Sequence, residues 1–222
     1  MPDLGDVRAL SFDCYGTLLD WRRGVREAAA EVRSLVGADF ERLEREREHF
    51  DAELGRGAYR PYRELLAESL RLAAREQGRE VTEDEARAFA ESMRRWPPFA
   101  DTDGALARLA TRFRLAIFSN VETAVLRETI AERGWRIDVV VTAEEVGSYK
   151  PAAGHFLEGL RRLDLEPRRV LHCSVTRYYD LAPAKRLGLA TAWIARQAEE
   201  WPAGDAPDLV VRDLAELEQA LR

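Results

Sequence analysis

The sequence predicts an α/β protein: a doubly wound, Rossmann-like parallel sheet with an all-helical domain inserted near its start. Three observations predict this. Residues 1–20 and 100–222 alternate short apolar runs with amphipathic helical patterns, the texture of strands joined by crossover helices. Residues 21–99 carry helical periodicity and no convincing strand. Polar, chemistry-bearing residues follow the apolar runs instead of interrupting them, and open parallel sheets place their ligand sites at those ends. The expected division is therefore a core domain of residues 1–20 and 100–222 and a helical cap domain of residues 21–99.

The first strand is the apolar run from Val7 to Phe12, closed by Asp13, with Gly16 permitting a turn that a larger residue resists. The insert holds four helical patterns. One runs from Gly24 to Leu35. A second runs from Phe40 to Leu54, with Phe40, Leu43, Phe50 and Leu54 on one face and Arg47 on the same stripe. A third follows Tyr59-Arg60-Pro61-Tyr62 and stops near Gly78. The fourth starts at Thr82, an N-cap that Glu85 completes as a capping box, and continues to Met93. Trp96-Pro97-Pro98-Phe99 ends it, because proline lacks the backbone donor and restrains its predecessor, so residues 95–100 form the return linker.

Beyond the insert, a helix over 103–112 precedes a buried strand over 114–118 that ends in Ser119-Asn120. A helix over 122–133 stops at Gly134. A strand over 137–141, a loop over 147–151, a helix over 152–163 and a strand over 170–173 follow. Residues 180–187 read as helix, 190–194 and 209–211 as strands, and 213–221 as the closing helix.

The formal net charge of −6 argues against a nucleic-acid or anionic-membrane surface, since neither attracts an acidic protein. The sequence shows no charged-then-apolar leader and no apolar run near 18 residues, so neither secretion nor membrane spanning is expected. Cys14 and Cys173 make no disulfide framework and are expected to be reduced, which points to a cytoplasmic protein. His49, His155 and His172 show no metal-ligand spacing.

Four strand ends carry polar groups: Asp13, Ser119-Asn120, Lys150 after its strand and loop, and Asp180 beyond the run 170–173. In a parallel sheet these ends share one edge, so a carboxylate, a hydroxyl, an ammonium and a second carboxylate converge on one crevice. Their order resembles the haloacid dehalogenase superfamily. Phe12-Asp13…Gly16-Thr17-Leu18 resembles its first signature, Ile117-Phe118-Ser119-Asn120 the second, Tyr149-Lys150-Pro151 the third, and Tyr178-Tyr179-Asp180 followed by Lys185…Gly188 the fourth. The resemblance spans the whole chain, including the place of the cap.

The resemblance implies a role for each residue. Asp13 is the nucleophile, whose carboxylate forms a covalent ester and splits one hard step into two. Lys150 keeps it ionised and oriented. Thr17 and Ser119 donate hydrogen bonds to the carboxylate or the substrate, and Asn120 positions the substrate or the backbone around it. Asp180 either activates the water that hydrolyses the ester or holds Lys150. Tyr15 discriminates between branches. Phosphatase members carry a second Asp there as the acid for the leaving alcohol, and a phenol is a poor acid at neutral pH. A halide needs no proton. Asp13-Cys14-Tyr15-Gly16-Thr17-Leu18 is thus similar to the first motif of the L-2-haloacid dehalogenases, which turn a small 2-haloacid into a 2-hydroxy acid without a metal.

No cofactor is expected on this reading, and the partner is a small anionic molecule; dimerisation through the cap is a family-level expectation. The dehalogenases also receive the halide on a cap arginine. Arg45 fits a rough alignment, and Arg47 lies on the apolar stripe, where an arginine wants an anion. Tyr15, Trp21, Phe50 and Tyr62 are candidate apolar walls. Two departures stand out. The family's Ser-Ser-Asn reads Val175-Thr176-Arg177 here, leaving Thr176 as the hydroxyl, and a family tyrosine is Phe156. Two competing readings remain: a Mg2+-dependent phosphatase-like hydrolase, with the ion on Asp13 and Asp180, and a binding protein that keeps the fold without the chemistry.

Overall fold

A computed structural model describes residues 4–196 and 206–222. Six strands form one sheet: β1 (Ala9–Phe12), β2 (Arg114–Ser119), β3 (Val139–Thr142), β4 (Val170–Ser174), β5 (Ala190–Ile194) and β6 (Leu209–Val211). All neighbours run parallel, in the order β3-β2-β1-β4-β5-β6. The chain therefore steps outward from β1 to β3, then returns to the other side of β1. That reversal opens a crevice at the carboxyl end of β1, between β2 and β4. β1 and β4 are buried along their whole length, which is why they read as continuous apolar runs and not as alternation.

The helices of the insertion are α1 (Trp21–Ala30), α2 (Phe40–Leu54), α3 (Tyr62–Glu76) and α4 (Glu83–Glu91). The sheet's own helices are α5 (Thr102–Leu109), α6 (Thr123–Arg133), α7 (Ala143–Val146), α8 (Gly154–Leu163), α9 (Ala182–Arg186) and α10 (Leu214–Ala220). Among the described residues no helix is long and apolar enough to cross a membrane.

Local chemistry explains the boundaries. α1 starts three residues before Gly24 because the Asp20 carboxylate accepts from the Arg23 amide at 3.1 Å. Thr82 and Glu85 form the expected capping box, and Glu85 also accepts from Ser34 Oγ at 2.6 Å, which ties α4 to the short turn Arg33–Leu35 that follows α1. A second such box, Thr142 with Glu145, starts the short helix α7. Gly134 ends α6 in the left-handed region. Residues 180–187 are not one helix: Arg177–Leu181 form a π-turn, and α9 follows it.

The insertion leaves and rejoins the sheet domain through two paired segments. Leu19 bridges Pro98 in antiparallel fashion, the Asp20 amide donates to Pro97 O at 2.8 Å, and the Phe99 amide to Leu18 O at 3.1 Å. Trp96 then packs on α1 at Gly24, where a Cβ atom would stand 2.2 Å from its ring. Entry and exit are thus fastened to each other beside the carboxyl end of β1.

Candidate active site

Asp13 follows β1 directly, its amide donating to Cys173 O of β4 at 3.1 Å. The chain turns at once. Leu18 and Leu19 amides return to Cys14 O at 2.8 and 3.0 Å, and Gly16 at φ 107° makes the turn that a side chain would strain. The turn carries Thr17 back over Asp13, and its Oγ1 donates to Asp13 Oδ2 at 2.9 Å. From the other side Lys150 Nζ donates to Asp13 Oδ1 at 2.8 Å, to Asp180 Oδ1 at 2.6 Å and to Phe118 O at 3.0 Å. The lysine is itself placed by Asn120, whose Oδ1 accepts from the Lys150 amide at 2.7 Å.

Asp180 is held by more than the lysine. Thr176 Oγ1 donates to its Oδ2, and His172 Nε2 lies 3.2 Å from its Oδ1. Facing a carboxylate, Nε2 carries the proton, so Nδ1 accepts from Ser11 Oγ at 2.9 Å. His172 is fully buried, stacked on Phe118 with ring centroids 5.7 Å apart and edge-on to Phe156 at 5.1 Å. A chain of polar contacts thus runs Ser11–His172–Asp180–Lys150–Asp13. Sequence reasoning missed Ser11 and His172. Both sit at apolar-looking positions of buried strands, and only the β1–β4 register puts them opposite each other.

The charges follow from this packing. Burial pushes the Asp13 carboxyl above its ordinary 3.8, against the pull of the Lys150 ammonium. Burial raises Asp180 too, but Lys150 and His172 outweigh it, and this carboxyl ends below the usual range. Burial opposes the Lys150 charge, yet the two carboxylates win and hold the ammonium charged. Burial, then the Lys150 charge, pushes His155 down to about 3, so it stays neutral; its Nε2 lies 3.1 Å from Ser119 O, fixing the end of β2. Burial also pushes the Tyr15 phenol well above 10.

The group opens into one cavity of about 840 Å³ between the sheet edge and the inserted helices. Asp13, Tyr15, Ser119, Asn120, Lys150, Thr176 and Asp180 line it from below, and Trp21, Arg47 and Tyr62 line it from the insertion. Thr17 stays behind Asp13. Arg47 is 2% exposed, its guanidinium carbon 5.3 Å from the centre of the Trp21 ring. Its Nε has no hydrogen-bond partner among the described residues; the Glu48 and Asp51 carboxylates on the same cavity wall feel its charge without forming a direct ion pair with it. Arg45 is different. Two residues away on a helix of 3.6 residues per turn, it faces solvent and does not line the cavity. The structure thus takes Arg45, the choice of the rough alignment, out of the cavity and puts Arg47 of the apolar stripe on its wall. Phe50 also stays out of the cavity; its ring packs edge-on to His49 at 5.6 Å.

A Mg2+ ion fits this donor set poorly. The Lys150 ammonium already bridges the two carboxylates a metal would use, and among the described residues no three His, Cys, Asp or Glu side chains gather as a metal cluster. The arrangement instead offers a buried carboxylate, Asp13, and a buried cation, Arg47, on one cavity.

Known proteins share this plan. The family model for haloacid dehalogenase-like hydrolases matches residues 7–188. An (S)-2-haloacid dehalogenase of Pseudomonas fluorescens is 27% identical over 218 residues, 96% of this chain and 95% of that one. The crystal structure of the L-2-haloacid dehalogenase PA0810 is 29% identical with a TM-score of 0.81, covering 97% of this chain and 100% of that one. The pyrimidine 5′-nucleotidase YjjG of Escherichia coli (strain K12) is 34% identical over 111 residues, 49% of each chain.

Proposed function

The chain belongs to the haloacid dehalogenase-like hydrolases, and on that premise we propose that it hydrolyses the carbon–halogen bond of a 2-haloacid to give a 2-hydroxy acid. The observation that carries this reading is Arg47: a buried guanidinium with no ion-pair partner among the described residues, facing the same cavity as Asp13. A buried cation in that position wants an anion, and the reaction supplies one as halide or carboxylate.

In the first step an Asp13 oxygen attacks C2 in line with the halogen. The carbon–halogen electron pair leaves with the halide toward Arg47, and an aspartyl ester remains. No proton is needed, which suits a site where Tyr15 stands in place of an acid. Ser119 and the adjacent backbone receive the substrate carboxylate. In the second step water attacks the carboxyl carbon of Asp13. One water proton goes to the departing alkoxide, giving the 2-hydroxy acid; the other is released to solvent as Asp13 regains its carboxylate. Lys150 Nζ, 2.8 Å from Asp13 Oδ1, stabilises the oxyanion of that step. Asp180, whose oxygens already accept from Lys150, His172 and Thr176, keeps the ammonium charged and aimed; that is its proposed task, in place of water activation.

The test is chloride release from (S)-2-chloropropionate in metal-free buffer, with Asp13→Asn inactive. A single turnover in 18O-labelled water places the label in Asp13 and not in the product. Label found in the hydroxy acid instead rules out the ester.

A further inference from the structure

We propose that the substrates are 2-haloacids bearing a large aromatic group, with the short two- and three-carbon acids poorly used. This deepens the dehalogenase reading and rests on it.

The first observation is size. At the roughly 30 Å³ that a water takes in the liquid, the six heavy atoms of 2-chloropropionate occupy about a fifth of this cavity. The cavity measures about 840 Å³. The rest would stay wet against its walls while a short acid reacts.

The second is what those walls present. Tyr62 and Tyr149 line the cavity from the insertion and the sheet domain, ring centroids 6.4 Å apart. Their hydroxyls are already engaged: Tyr62 donates to Asp51 Oδ2 at 2.8 Å and Tyr149 to Arg60 O at 2.6 Å. Trp96 donates its Nε1–H to Ser92 Oγ at 3.1 Å, and its ring stands edge-on to Tyr15 at 5.9 Å. The Tyr59 hydroxyl is buried, and its ring lies 5.6 Å from Tyr149. Tyr62, Tyr149 and Trp96 thus turn their polar handles into the protein and leave rings for a ligand. A wall of ring faces and edges favours another aromatic ring, which adds edge-to-face contacts and expels water from apolar surface.

The experiment compares kcat/KM for chloride release from 2-chloro-3-phenylpropanoate and 2-chloropropanoate, with 3-phenylpropanoate and propanoate as competing inhibitors. The expected result is a preference of at least about tenfold for the phenyl acid, carried mainly by KM, with 3-phenylpropanoate the stronger inhibitor. Narrowing the cavity by Ala52→Trp on α2, or by Ala58→Trp in the loop after it, should lower that ratio; the second variant serves if the first does not fold. Chloride from both acids with the short one equal or preferred overturns this inference and leaves the dehalogenase reading standing. A ratio unmoved in a folded tryptophan variant also overturns it. No chloride from either acid overturns both.

Discussion

Replacing Lys150 by Met removes one charge and exposes the electrostatic logic of the whole site. Lys150 Nζ contacts Asp13 at 2.8 Å, Asp180 at 2.6 Å and Phe118 O at 3.0 Å, and the side chain is 2% exposed. The variant keeps the hydrocarbon volume but leaves two buried carboxylates facing each other without a counter-ion. Breaking a buried pair in this way costs about 3–5 kcal/mol at neutral pH. The sign with pH is set by the two carboxyls. In the wild type, Asp180 lies below its ordinary value, so its contribution is present above about pH 4 and fades as pH falls through the lowered pKa. In the variant, burial and mutual repulsion act on both carboxyls unopposed by the lysine, so both titrate above their unfolded values. Acid then relieves the strain, and the stability deficit shrinks between pH 7 and pH 5. Turnover falls by about 10²–10³ or more, since the proposed oxyanion donor is also lost. Urea unfolding at several pH values, beside chloride release, reads both effects. A variant within about 1 kcal/mol of wild type at pH 7, or a deficit that does not shrink in acid, would falsify the reasoning.

His172→Phe keeps the stacked ring but removes the donor to Asp180 and orphans Ser11 Oγ, so it should lose about 1–3 kcal/mol and lower kcat more than it raises KM. Adding Ser11→Ala should restore most of the stability and none of the rate; recovery of both would make His172 merely structural. Arg47→Met should lower kcat/KM roughly 10- to 100-fold, the worth of a charged hydrogen bond, while Arg45→Met on the solvent face changes it little; equal effects would place the anion site elsewhere. Gly159→Ala puts a Cβ atom 2.1 Å from the ring of Phe118, whose carbonyl binds Lys150, so about 1–3 kcal/mol should be lost in thermal unfolding.

What the sequence reveals here depends on whether the signal is local. The capping box at Thr82–Glu85, the stop at Gly134 and the buried strands are written in neighbouring residues, and the structure has each of them. Thr142-Ala143-Glu144-Glu145 carries the same box signal, and leaving 142–146 without an element passed over α7. The residues gathered around Asp13 were visible as polar ends of apolar runs. Arg47 was visible as a charge on an apolar stripe, and the rival Arg45 came from alignment alone. His172 and Ser11 were not visible. A histidine in Val-Leu-His-Cys looks like any buried strand position, and its partner lies 161 residues away. Pairing of that kind exists only once the sheet order is known.

The position of Arg47 over the cavity follows from a short stack of side chains that joins the two halves of the protein. Gly16 makes the turn that returns Thr17 to Asp13, and a Cβ atom there would stand 2.9 Å from Trp21 Cδ1. The Trp21 ring therefore lies directly on the turn after Asp13, with the Arg47 guanidinium carbon 5.3 Å from its centre. Trp21 opens α1, the first helix of the insertion, one residue after the Asp20 amide that pairs with the return segment at Pro97. Any shift of the insertion relative to the sheet must carry Trp21 with it, and so must move Arg47 against Asp13. Gly16 thus has two reasons to be glycine, its positive φ and the flat ring that lies against it. The spacing between the Asp13 carboxylate and the Arg47 guanidinium is set at Trp21, eight residues after Asp13, although the arginine itself comes 34 residues further along the chain than Asp13.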